Sequence, residues 1–162
     1  MRRGPYDIVE RMQITSVRAD TDNFGSRTLS GLMGLYESNH ARMYRLLGGT
    51  LAVPDRARSR VAGEPPLTLE VLERARYTTT IHLTWWFDEN GIAVPDPDLH
   101  VRVYHDARVA ETIHCGRNRH WHLLRPYRLD AGSEISRRWQ LNLLLNKWLE
   151  YCLTRGYRFD AV

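Results

Sequence analysis

The chain has almost no cysteine and almost no lysine. Two cysteines, Cys115 and Cys152, in 162 residues cannot build a disulfide framework. They fall in a strand pattern and a helix pattern, so both read as free thiols of a reducing compartment. Lysine occurs once, at Lys147, among 23 basic residues, an arginine bias that high-GC codon usage explains at least as well as phosphate recognition. No stretch approaches the roughly 18 uninterrupted apolar residues of a membrane span, and Met1-Arg2-Arg3-Gly4-Pro5 has no apolar run behind its charges, so the reading is soluble, unexported and cytoplasmic. Also missing are the Gly-x-x-x-x-Gly-Lys phosphate loop, the Gly-x-Ser-x-Gly elbow, His-Glu-x-x-His and paired Cys-x-x-Cys. Large enzyme classes thereby lose their usual support, and no cofactor is expected.

The chain does carry periodic structure. Its length suits one domain with a core that needs no staples. Residues 1–28 show little periodicity and read as a mobile arm with a short helix from Tyr6 to Met12, leaving 29–162 as the single domain. Leu32, Leu35, Tyr36, Met43, Leu46 and Leu47 recur at helical spacing until Gly48-Gly49, predicting an amphipathic helix over about 30–48. Residues 50–66, with Pro54, Gly63, Pro65 and Pro66, read as a loop. Alternating segments follow around Leu67–Val71, Tyr77–Phe87, Leu99–Cys115 and His120–Arg125, joined by short turns. Asp130 or Ser133 can cap a last helix, 134–155, stopped by Gly156. The predicted fold is α+β: an antiparallel meander of four or five strands, covered on one face by an N-terminal and a C-terminal helix.

Three ionisable residues sit where the period-2 rule expects hydrocarbon. His105 shares a parity with Leu99, Val101 and Val103; Glu111 shares one with Val109, Ile113 and Cys115; Glu73 follows Leu67, Leu69 and Val71. A buried ionised carboxylate costs several kcal/mol unless paired. Such residues must find a counter-charge, change protonation or line a wet pocket. Arg76 and Arg102 could hold an anion beside them, with Tyr77 and Tyr104 as closing rings. The plainer alternatives are ion pairs that fix strand register, or a bulge that returns His105 and Glu111 to solvent. Asp106 follows His105 directly, so it points to the opposite face and reads as a turn former rather than a catalytic relay.

His114, Cys115, His120 and His122 form a second cluster. His120-x-His122 places two imidazoles on one side of a strand, and zinc accepts histidine nitrogen and cysteine sulfur. Trp121 and Leu123, however, claim the core, which turns His120 and His122 outward while Cys115 stays on the apolar parity. The donors therefore diverge, and no metal is expected.

Leu32-Met33, Glu37 and Asn39 in the first helix, Arg76-Tyr77-Thr78-Thr79, Val101-Arg102-Val103-Tyr104-His105-Asp106-Ala107 with Val109-Ala110-Glu111, and Gln140, Asn142, Trp148-Leu149, Tyr151-Cys152-Leu153 and Gly156 together resemble the bacterial YqiB family. The likeness covers about residues 30–156. It implies a small cytoplasmic protein with no recognised cofactor, in a family whose function is unknown. The longer N-terminal arm and the histidines around 114–122 depart from that pattern.

Three functional expectations follow. The first is a non-catalytic binding or regulatory module that presents the sheet–helix groove, or the outer sheet face, to a protein or a small ligand such as an anion. The second is a small hydrolase acting on a phosphorylated or nucleotide-like substrate through His105 and Glu111, with Arg76 or Arg102 as anion holder. The third is RNA or DNA binding through exposed arginines and Trp85, Trp86 or Trp121, since neighbouring Trp85 and Trp86 must face opposite sides. The net charge of +4 is spread among acidic residues without a basic stripe, which argues against nucleic acid as the main partner, and no membrane partner is expected.

Overall fold

A computed structural model describes residues 28–49, 52–116 and 134–159. Two helices, α1 (Leu29–Leu46) and α2 (Glu134–Arg155), flank strands β1 (Arg56–Ser59), β2 (Leu67–Arg74), β3 (Thr78–Glu89), β4 (Ile92–Tyr104) and β5 (Val109–Cys115). The strands form one sheet in the order β1-β2-β3-β4-β5, each antiparallel to the next. This is the α+β meander that the alternation predicts, with five strands.

Local chemistry sets the ends of α1. The Thr28 hydroxyl accepts a hydrogen bond from the Gly31 amide at 3.2 Å, satisfying one of the free N–H groups of the first turn. At the other end Gly48 and Gly49 take φ of 74° and 81°, and the Gly49 amide bonds back to the Tyr44 carbonyl at 2.9 Å, as a glycine stop requires.

Leu67, Leu69, Ile81, Leu83, Trp85, Leu99, Val101 and Val103 form the buried sheet face. Trp85 is fully buried and meets Trp148 of α2 edge-to-face, with ring centroids 5.3 Å apart at 81°. Trp86 points to the other face, where its indole N–H donates to the Thr68 hydroxyl at 2.9 Å.

The polar stripe of α2 is the least solvent-like part of the core. Asn142 and Asn146 are fully buried against α1. Asn146 donates to the Asn39 side-chain oxygen at 3.0 Å, and Asn39 donates to the Asn142 carbonyl at 3.3 Å. The Asn142 side-chain oxygen in turn accepts the Thr112 amide of β5 at 2.8 Å, tying the helix to the edge strand. Such bonds hold buried amides inside, although the Asn146 side-chain oxygen is buried without a partner.

Two expectations need correction. Residues 50–66 are not all loop: Arg56–Ser59 pair with Leu67–Glu70, because a short, arginine-rich edge strand shows no hydrophobic alternation. β4 also begins well before Leu99, at Ile92. The arm up to residue 27, the strand expected at His120–Arg125 and the caps Asp130 and Ser133 lie outside the described residues.

Candidate ligand groove

Helical spacing brings Glu37, His40, Ala41 and Tyr44 onto one face of α1. Opposite them, the loop joining β4 to β5 supplies His105, Ala107 and Arg108, and together these residues line a groove of about 740 Å³. That volume lies within the range of small-molecule sites.

His105 is held at two points. Its amide donates to the Tyr77 carbonyl at 2.8 Å, and its Nε2 lies 2.8 Å from the Thr79 hydroxyl, which fixes the ring and leaves Nδ1 for another partner. It shares the core-facing parity of Val103, as the alternation predicts, but sits at the rim. Arg108 has φ of 53°, a left-handed conformation that costs a non-glycine residue roughly 1–2 kcal/mol.

His40 Nε2 is buried and has no hydrogen-bond partner. Burial pushes the His40 imidazole below its ordinary pKa of 6.5, and the neighbouring His105 and Arg108 push it further the same way. The His40 and Tyr44 rings lie nearly parallel, at 14° with centroids 6.5 Å apart.

Glu111 does not join His105. The four-residue loop sets a register that pairs Val103 with Ala110 and Arg102 with Glu111, so Ala110 and Thr112 take the core face while the Glu111 carboxylate lies beside Tyr36 of α1 and Arg138 of α2. A bulge between His100 and Val101 then returns Cys115 to the level of Leu99. Glu111 accepts the Tyr104 hydroxyl at 2.7 Å and lies 3.9 Å from Arg138. Burial and this carboxylate raise the Tyr104 pKa. A second bulge, between Val71 and Glu73, sets Glu73 opposite Thr80, where it is exposed. The inner-face grouping of Glu73, His105 and Glu111 is thus not formed, and with it goes the geometry of a His105–Glu111 hydrolase.

The remaining candidates disperse. Arg76 stacks over the exposed Tyr77 ring at 5.1 Å, and Arg102 reaches the Thr80 hydroxyl at 3.4 Å. His114 stands on the outer face beside His100, with centroids 4.8 Å apart, and His100 beside His82 at 5.2 Å. His82 bonds Asp98. Arg56, Glu70, His82, His100 and His114 thus form one row across all five strands. Burial and the Asp98 and Asp96 carboxylates push the Cys115 thiol up to about 11. Among the described residues no three histidines, cysteines or carboxylates are placed to hold a metal ion. His120 and His122 lie outside those residues. No described helix is long and apolar enough to cross a membrane.

Period-2 alternation carries no information on Glu37, His40 or Tyr44, because they lie on a helix. The available signal was a histidine and an aromatic at i and i+4, flanking an alanine, on the less apolar side of α1.

Comparison with known proteins gives kinship without chemistry. Residues 42–158 match the family described as "Protein of unknown function (DUF1249)". The chain is 29% identical to the uncharacterized protein YqiB of Escherichia coli strain K12 over 128 residues, covering 77% of this chain and 88% of the relative. YqiB of Escherichia coli O157:H7 matches to the same extent. No solved structure matches. The hairpin and helix residues that resemble YqiB, the matched span and the identity to its members agree, and the chain belongs to the DUF1249 family.

Proposed function

We propose that this protein is a non-catalytic binding module whose ligand, a small oxyanion such as a phosphate or carboxylate, occupies the groove between α1 and the β4–β5 loop. The observation that carries this reading is a groove that presents His105, fixed through Nε2 with Nδ1 left for a partner, together with Arg108 and His40. An oxyanion seated there would accept hydrogen bonds from His105 and Arg108. The left-handed Arg108 fits the same reading, since strained backbone is tolerated where a side chain must be aimed. A cytoplasmic setting goes with it, supported by the two free thiols.

The test is titration of the protein with inorganic phosphate and with acetate, followed by the imidazole resonances of His40 and His105. Both should shift in a saturable way, with affinity rising as pH falls through the lowered pKa of His40, because protonation there adds positive charge beside the anion. Replacing Arg108 with alanine should weaken binding about tenfold, the usual cost of a charge-assisted contact. Unperturbed groove resonances at millimolar concentrations of both anions would sink the proposal.

A further inference from the structure

A bare oxyanion leaves one wall of the groove unexplained, because that wall carries a negative charge. Glu37 sits one turn before His40 on the same face of α1 and lines the groove across from the loop that supplies His105 and Arg108. Glu37 and Arg108 are both exposed, and among the described residues neither pairs with the other or has any other ion-pair partner. His105 and Arg108 both bear on the charge of His40, whereas Glu37, on the same helix, does not. The negative and positive parts of the lining are thus set apart, and Ala41 and Ala107 add only methyl groups to it. Two opposite charges that line one groove without meeting leave room for a molecule that bears both signs. An anion by itself gains from Arg108 and is repelled by Glu37. A zwitterion gains from both.

Building on the oxyanion reading, we infer that the ligand is a zwitterion of the amino-acid class, its carboxylate taken by His105 and Arg108 and its ammonium by Glu37. The two walls then also fix its direction in the groove, which a symmetric anion would leave open.

Titration of the full chain with acetate, glycine, butyrate and 4-aminobutyrate, followed by the resonances of His105 and Arg108, separates the parts. Each amino acid differs from its matched carboxylate by one ammonium group, and the two lengths offer two charge separations. At least one amino acid should bind about fivefold more tightly than its carboxylate, the upper range for an ion pair open to solvent. Glu37→Gln should erase that gain while the plain carboxylates bind at least as tightly as before, and Glu37→Asp should keep part of it. Circular dichroism would confirm that both variants fold, as expected for an exposed helix position. Equal affinities within both pairs overturn the zwitterion and leave the anion site standing. Binding of none of the four overturns both readings. A gain that survives Glu37→Gln overturns the assignment of the ammonium to Glu37.

Discussion

Folding holds two imidazoles, His40 and His100, away from their protons. Burial is the larger cause for each; His105 and Arg108 add to it at His40, while His82 and His114 add to it at His100, against an opposing pull from Asp98. A histidine whose folded pKa lies below its unfolded value of 6.5 binds more protons when unfolded, so stability rises with pH across that interval. The protein should therefore keep its full stability above about pH 7 and lose part of it as pH falls below 6.5. Urea midpoints measured between pH 5 and 8 should show that decline, and the pair His40→Gln and His100→Gln should flatten it. An undiminished slope in the double variant would assign the effect to other groups.

At the scale of elements, the two helices meet through bonded amides as well as through the apolar side chains of one shared core. Asn142 matters most, because its side-chain oxygen receives the Thr112 amide at 2.8 Å while its side-chain amide donates to the Arg138 carbonyl at 2.8 Å. Asn142→Leu would leave the buried β5 amide without an acceptor, and the expected loss is about 1–3 kcal/mol, read as a lower urea midpoint at unchanged slope. Amide exchange at Thr112 should quicken beyond that of the β2–β3 pairs. Elements are also where the pattern in the residues misleads. Period 2 holds along β3, whose Ile81, Leu83 and Trp85 are all buried. It fails for Glu73 because a bulge shifts the strand there, and for Glu111 because the length of the β4–β5 loop sets the register. A one-residue slip moves every following side chain to the other face, and nothing in the residues themselves announces it.

Across the whole molecule, the family match starts at residue 42, inside α1, while the core depends on residues ahead of it. Leu32, Leu35, Tyr36 and Asn39 are all buried, and each apolar side chain of this size contributes about 1.5–3 kcal/mol when removed from water. Removing several is comparable to the roughly 5–15 kcal/mol by which a domain is stable. A fragment beginning at residue 42 should thus lose the cooperative thermal unfolding of the full chain. A sharp calorimetric transition in that fragment would show that α1 is dispensable to the core.

The amino-acid pattern alone was enough for the class of fold, the two helices with the glycines that stop them and the kinship, since periodicity, glycine stops and specific residue strings are properties of neighbours along the chain. Tertiary structure decided which polar residues meet. It carried Glu111 to Tyr104 and Arg138, turned the stripe of Asn142 and Asn146 inward onto Asn39, and set His40 and Tyr44 across a groove from His105 and Arg108. Glu111 and Tyr104 are only seven residues apart, whereas the amide pairings join segments 103 and 107 residues apart; all of them depend on register and on how helices seat against a sheet, which are settled only when the core closes.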